Sequence, residues 1–326
     1  MQTATLGRTG HDVSMIGLGA WQIGDAWGTV ADDDARQVVR AATDAGVTFI
    51  DTADVYGSGR SERFIGEYLA GDHPPVFVAT KVGRRVDQLP ENYTEENFRA
   101  WLNDSRSNLG VDRIDLVQLH CPPTAVLEDD DVFSALDGLV EEGLIASYGV
   151  SVETTEQALI AIARPNVATV QIILNCLRLK PLERVLPTAR TRGVGIIARV
   201  PLASGLLSGR FDARTTFAAD DHRNFNRRGE AFDIGETFAG VPYDVGLSAV
   251  AHLRELVPEG MTLSQFALRW VMDQPGVSTV IPGASTPDQA RANAAVAQMP
   301  SLTDEHFAGV RRIYDDLVRP HVHHRW

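Results

Sequence analysis

Four side chains in the first 120 residues are of types that move a proton when brought together: Asp51, Tyr56, Lys81 and His120. Each closes or follows a short apolar run. Val47, Phe49 and Ile50 lead into Asp51, and Tyr56 follows just before a Gly57-Ser58-Gly59 turn; Thr80-Lys81-Val82-Gly83 closes a second run, and Asp115-Leu116-Val117-Gln118-Leu119-His120 a third. Chain that leaves buried strands in this way surfaces with its polar groups clustered. A phenol is an acid of pKa about 10, and a neighbouring ammonium favours the phenolate left behind, so a lysine beside Tyr56 eases proton release. Asp51 would hold that ammonium charged and aimed. A neutral imidazole at His120 would orient the group that receives the proton. Taken singly, each residue has a structural explanation: Asp51 caps a turn, Tyr56 packs its ring, Lys81 is solvated, His120 is a satisfied core histidine. Taken jointly at three strand ends, they point to general acid–base chemistry. Lys81 also admits a different reading, a Schiff-base residue in a phosphate-binding lyase or isomerase.

The elements that position these residues alternate. Apolar, β-rich runs predict strands at 15–19, 47–51, 76–81, 114–120, 146–151, 169–174, 195–199 and 277–281. Amphipathic spacing predicts helices at 32–45, 61–69, 94–109, 132–142, 155–163, 182–192, 244–256, 262–273, 286–297 and 303–317. Residues 3–19 contain Arg8-Thr9-Gly10-His11, which reads as a hairpin capping the structure. Eight strands alternating with helices give an α/β chain, a (β/α)8 TIM barrel with an N-terminal hairpin, and residues 1–326 read as a single domain. An open doubly wound sheet is the alternative. It predicts a Gly-x-Gly-x-x-Gly turn, and the nearest candidate, Gly17-Leu18-Gly19, lacks the third glycine and the helix after it. A long polar segment, 208–242, interrupts the alternation after the seventh strand, and loops of that length are usually functional or mobile.

Composition narrows the partners. The formal charge of −13 argues against phosphate-backbone binding, which needs clustered cations. An acidic surface also repels an anionic dinucleotide, so a nucleotide site here would depend on local arginines and backbone amides. No apolar run approaches the ~20 residues that span a bilayer, and the start lacks the charged and apolar regions of a signal peptide. These features predict a cytoplasmic protein without a membrane partner. Cys121 and Cys176, the two cysteines, offer neither metal spacing nor a disulfide framework. The tail Arg319-Pro-His-Val-His-His-Arg-Trp326 reads as a disordered or surface-packed terminus rather than a metal site. Lys81 and Lys180 are the two lysines among thirty basic residues, which suggests that an ammonium is required at the strand end.

Asp51-Thr52-Ala53, Tyr56-Gly57 and Ser61-Glu62 resemble the signature segment of the aldo-keto reductases, nicotinamide-dependent carbonyl reductases built on a (β/α)8 barrel, and Asp51, Tyr56, Lys81 and His120 match that family's tetrad of types. The resemblance implies hydride transfer between NADPH (NADP+) and an aldehyde, ketone or sugar, with Tyr56 as general acid and base. It implies that Ser151 and Gln171 grip the nicotinamide carboxamide and that Trp21 lies on the cofactor's side. Where many members have Asn after the serine this chain has Val152, and where many stack an aromatic ring it has Arg199. A planar guanidinium also stacks; the other reading of Arg199 is a pair with a loop carboxylate. By the same resemblance Val200, Pro201, Leu202, Ser204, Gly205, Leu206 and Arg210 belong to the loop over the pyrophosphate. Ile281, Gly283, Ser285, Thr286, Gln289 and Asn293 lead into a helix whose N-terminus is an anion site. Relatives that favour NADPH often carry a basic residue near 283–289, and this chain has none there, which predicts a modest NADPH preference with some use of NADH. A second functional class is a nucleotide-binding regulatory barrel subunit with little turnover.

Overall fold

The computed structural model describes residues 1–24 and 30–326. Eight short runs pair side by side in chain order: β3 (Leu18–Gly19), β4 (Phe49–Asp51), β5 (Phe77–Val82), β6 (Leu116–His120), β7 (Tyr148–Ser151), β8 (Thr169–Ile173), β9 (Gly195–Arg199) and β10 (Val277–Val280), each parallel to its neighbours. Parallel bridges Ile16 to Val280 and Gly19 to Gly283 join the first strand to the last, with Gly17 N–H donating to Val280 O at 2.8 Å and Gly19 N–H to Pro282 O at 3.0 Å. The sheet thus closes into a (β/α)8 barrel. Closure requires a close approach at Gly19, where a Cβ would stand 2.8 Å from Ile281 O. Every residue of β4, β6, β7, β8, β9 and β10 is buried, as expected for parallel strands covered on both faces.

The outer layer is α1 (Asp32–Asp44), α2 (Arg60–Leu69), α3 (Glu95–Leu109), α4 (Thr124–Glu128), α5 (Asp130–Glu141), α6 (Thr155–Ala163) and α7 (Pro181–Arg192), followed by α8 (His222–Phe225), α9 (Tyr243–Glu255), α10 (Leu263–Met272), α11 (Pro287–Ala295), α12 (Asp304–Ile313) and α13 (Arg319–Val322). Their starts are chemically marked. Thr154 and Thr262 form capping boxes with Gln157 and Gln265, and Asp32, Asp33 and Asp34 fill the first turn of α1, where negative charge favours the helix dipole. The hairpin β1 (Thr3–Thr5) and β2 (Asp12–Ser14) pairs antiparallel. Val13 of β2 and Leu6 just after β1 join Phe49, Leu116 and Ile197 in a buried cluster that plugs the barrel. Arg8 ties this cap to the helices by donating to the carbonyls of Arg164, Pro165, Val167 and Arg192.

Three segments carry structure beyond the sequence reading. The helix predicted at 303–317 stops at Ile313 and continues as a π-helical turn, Tyr314–Val318. The polar segment 208–242 carries short helical turns and a small aromatic core: Phe211, Phe217 and Phe238 make mutual ring contacts, and the Arg223 and Arg227 guanidiniums lie 4.7 and 5.6 Å from the Phe217 ring centre. The tail is anchored. Trp326 is 4% exposed, the Arg178 guanidinium lies 3.9 Å from its ring centre, and its indole sits so close under Gly240 that a Cβ there would come within 2.2 Å. The chain end therefore props the segment that ends at Pro242. Trp326→Ala is expected to cost about 3 kcal/mol, to lower the melting temperature, and to speed proteolytic cleavage within 208–242. A cleavage rate equal to the wild type's would remove the tail from this role.

Candidate active site

The centre of the site is the Lys81 ammonium, 1% exposed in the middle of the barrel. It has three protons, and three oxygens face it: it is paired with the Asp51 carboxylate, donates to Thr52 O at 2.8 Å and donates to the Tyr56 hydroxyl at 3.3 Å. Asp51 is fixed in turn by neighbouring strands. Its Oδ2 accepts from Gln118 Nε2 at 2.9 Å and from Gln171 Nε2 at 2.7 Å, and Gln171 also donates to Gln118 Oε1 at 3.0 Å. These glutamines stand on β6 and β8, so four strands converge on one carboxylate and one ammonium. Ser61 and Glu62 hold the connection in place rather than reacting: Ser61 donates to Ala20 O at 2.9 Å, and Glu62 accepts from Thr80 at 2.6 Å and Asn108 at 2.9 Å.

Tyr56 is set by close backbone contact. Gly57 has φ +60°, and a Cβ on Gly24 would stand 2.7 Å from Tyr56 Cβ. The phenol ring lies 6.0 Å from both Trp21, nearly parallel, and His120, edge-on. Burial lifts the Tyr56 pKa above 10, opposed by the Lys81 ammonium. Burial pulls Lys81 down, yet Asp51 and Tyr56 outweigh it and its pKa is raised. His120 is held well below 6.5 by burial and by the nearby Arg84, Lys81 and Arg199 cations, and its Nδ1 is buried without a hydrogen-bond partner among the described residues. The arrangement is a neutral phenol, a charged ammonium and a neutral imidazole around one point. That is the equipment for passing a proton to or from an oxygen while a second donor orients it.

A cavity of about 480 Å³ opens onto this point. Asp51, Tyr56, His120, Ser151, Gln171 and Trp21 line its inner end; Arg199, Val200, Pro201, Leu202, Ser204, Gly205 and Arg210 line one wall; Ile281, Gly283, Ser285, Gln289 and Asn293 line another. Lys81 stands behind Asp51 and Tyr56 and is not on the lining, and Leu206 and Thr286 are off it too. Leu206 is fully buried, its side chain against Gly246, and Thr286 caps α11 by accepting from Gln289 N–H. Arg199 pairs with two carboxylates, Glu153 Oε2 at 2.9 Å and Glu236 Oε1 at 3.0 Å, and donates to Val152 O at 3.1 Å. Burial alone would lower its pKa, but Glu153 and Glu236 raise it well above the usual arginine value. With Cys121, these two glutamates form a cluster of metal-ligating types, and the guanidinium occupies the space between them. Backbone strain concentrates here: Cys121, Val200, Ala203 and Ser204 all have φ near +50°.

The model of the Aldo/keto reductase family matches residues 15–315. The chain belongs to the aldo/keto reductase family. As a member it is an oxidoreductase. "Aldo-keto reductase YhdN" of Bacillus subtilis is 31% identical over 325 residues, covering 98% of this chain and 95% of the relative. Among solved structures, the glycerol dehydrogenase AKR11B4 from Gluconobacter oxydans superposes with a TM-score of 0.77 at 32% identity, covering 96% of this chain and 93% of that one. An aldo-keto reductase from Klebsiella pneumoniae in complex with NADPH gives 0.70 at 26% identity, covering 96% of both.

In this aldo/keto reductase the sequence reading missed Glu153 and Glu236. Glu236 lies in the segment without periodicity, where no spacing connects it to Arg199 thirty-seven positions earlier. It also missed Asp54, on the same connection as Tyr56. The Asp54 carboxyl is fully buried; Arg85 Nε stands 3.5 Å away, yet burial prevails and holds its pKa up at about 7. In the unfolded chain a carboxyl of this kind ionises near 3.8. Between these values the folded state keeps a proton that the unfolded state releases. Stability therefore falls as pH rises from about 4 to 7, by about 4 kcal/mol in total at 1.36 kcal/mol per unit. Asp54→Asn is expected to gain melting temperature over the wild type at pH 8 and not at pH 4. Equal differences at both pH values would show that Asp54 ionises normally in the folded protein.

Proposed function

We propose that this oxidoreductase moves a hydride between NADP(H) and a small aldehyde, ketone or sugar, with Tyr56 as general acid and base. The observation that supports this most is the Lys81 ammonium shared between Asp51 and Tyr56 beside a neutral His120. The cavity suits a dinucleotide: it runs from Tyr56 past a strained, glycine-containing wall at 200–205 to the capped start of α11, where backbone N–H groups favour an anion. Ser151 and Gln171 would hold the nicotinamide end, and Ser285, Gln289 and Asn293 the adenosine end. NADPH supplies the hydride when bound. In reduction Tyr56 gives its proton to the carbonyl oxygen, Lys81 stabilises the tyrosinate left behind, and His120 donates to the same oxygen and orients it. The whole chain acts as one barrel domain, and its two unpaired cysteines fit a reducing compartment, the cytoplasm. A regulatory barrel with little turnover has no need of the complete linked set of Asp51, Tyr56, Lys81 and His120.

The raised Tyr56 pKa gives this reading a sign. Reduction needs the phenol protonated, so its rate is expected to stay level from pH 7 to beyond 10. Oxidation needs the phenolate and is expected to climb over the same range. Tyr56→Phe is expected to lower kcat by about 10²- to 10⁴-fold while the Kd for NADPH, followed by tryptophan fluorescence, stays within about threefold. Reduction at the wild-type rate in that variant would exclude Tyr56 as the proton donor.

Cofactor preference follows from the charges near the adenosine end. Residues 283–289 offer hydrogen bonds but no cation, and Arg291 is engaged with Asp288 at 2.8 Å. A helix N-terminus contributes about 0.3 to 1 kcal/mol toward an exposed anion, under a factor of ten. NADPH is therefore expected to bind more tightly than NADH by less than about a hundredfold, with Arg210 on the cavity wall as a cation that could contribute. A thousandfold difference in Kd would mean that an arginine of 208–242 closes on the 2′-phosphate.

A further inference from the structure

Glu236 is the one carboxylate that the segment 208–242 places on the cavity wall, alongside Tyr56 and His120. It is fixed, not swinging. Its carbonyl accepts from Ser204 Oγ at 2.8 Å, Ser204 Oγ accepts from Phe238 N–H at 3.1 Å, and its own N–H donates to Asp233 O at 3.0 Å. Its side chain is used on one oxygen: Oε1 lies 3.0 Å from Arg199 Nη1 and 3.9 Å from Arg84 Nη1. Oε2 receives no hydrogen bond from any described residue. Arg199 also reaches within 3.6 Å of Cys121 Sγ, the residue after His120, which sets the pair on the imidazole side of the cavity. Glu236 Oε2, on a residue that lines the cavity, is an acceptor open to whatever fills the cavity.

Charge decides which donor. Glu153 and Glu236 are balanced by Arg199 and Arg84, which lies 3.5 Å from Glu153. Arg178 is turned away from the cavity, donating to Glu153 O and lying over Trp326. The described cations beside Glu236 are thus already matched by carboxylates, Arg210 lies on the pyrophosphate wall of the cavity, and the Glu236 carboxylate repels a substrate carboxylate placed against it. A hydroxyl fits. The Trp21 ring on the same lining offers an apolar face for the C–H side of a short polyol chain.

We propose that Glu236 selects the substrate, accepting a hydroxyl beside the reacting carbonyl and turning away anions, so that the enzyme's substrates are neutral hydroxyaldehydes or hydroxyketones. This rests on the carbonyl-reducing reading above. The site would then discriminate by a hydrogen bond to a charged group, which is lost with a substrate that lacks the hydroxyl.

The test compares kcat/KM, per unhydrated carbonyl and with NADPH, for glyceraldehyde, propanal and glyoxylate. The wild type is expected to favour glyceraldehyde over propanal by ten- to a hundredfold and to be poorest with glyoxylate. In Glu236→Ala that preference is expected to fall to within about threefold of unity, the loss falling on glyceraldehyde. In Glu236→Gln, which keeps the shape and an acceptor, an intermediate preference and a gain on glyoxylate are expected. An unchanged glyceraldehyde-to-propanal ratio in both variants, or a wild type indifferent to the hydroxyl, overturns the assignment while leaving carbonyl reduction standing. If the Ala variant does not fold, the Gln variant's two ratios decide alone. Absence of turnover with all three compounds overturns the reaction and this inference together.

Discussion

A buried ammonium dictates most of what surrounds it. Taking Lys81 out of water costs several kcal/mol, and only an opposite charge with good hydrogen-bond geometry offsets that. Asp51 supplies the charge, but a lone carboxylate would itself be stranded, so Gln118 and Gln171 cover its second oxygen. Those amides must come from neighbouring strands at matching height. The register provides this: Lys81 pairs with Gln118, and Ser151 pairs with Gln171. A slip of one residue in β6 or β8 would turn a glutamine to the helix side and take one hydrogen bond from the buried Asp51 carboxylate, a loss of about 1.5 to 3 kcal/mol. The polar centre therefore fixes strand register as much as the apolar layers do, and it couples folding of the barrel to assembly of the site.

The second ionic group is arranged differently. Around Arg199 the carboxylates come from the β7–α6 connection and from the segment 208–242, not from adjacent strands. Arg199 thus links a rigid strand end to a long connection whose own core is a handful of aromatic rings and whose end is propped by Trp326. Arg199 and Glu236 are both wall residues, so the link itself forms part of the cavity lining. Connections of this kind sit at the low-stability end of a fold, and here a buried ion pair sets how firmly it docks.

The barrel was legible in the sequence because its signals are local: alternating apolar runs and helix starts at Thr94, Thr155 and Thr262 lie within windows of a few residues. Asp51, Tyr56, Lys81 and His120 were legible for a similar reason, as polar groups where apolar runs stop. Arg199 was seen as an anomaly, and of the two readings offered for it the pair with a carboxylate is the one visible here, with Glu153 and with Glu236 of the long segment. What could not be read were partners defined by long-range proximity. Nothing near Glu236 distinguishes it from the other acids of the polar segment, and nothing near Trp326 reveals that its ring lies beneath Gly240. Asp54 escaped for another reason: a carboxyl at a strand exit reads as solvated, and only the packing of Arg85 and Glu62 around it shows that it is not.

Backbone strain follows the same division between the scaffold and the site. Non-glycine residues with positive φ cost of order 1–3 kcal/mol each where they are unfavourable, and Val200, being β-branched, is among the worst choices for such a conformation. It follows Arg199 directly, as Cys121 follows His120. At both places the chain leaves its strand by turning sharply, which keeps the functional side chain on the cavity wall instead of letting the strand carry the next residue outward. Glycine at either position would relieve the conformational cost but would free the exit. The Arg199 guanidinium, which has to meet carboxylates from two separate segments at about 3 Å, would then lose the fixed origin on which both contacts depend.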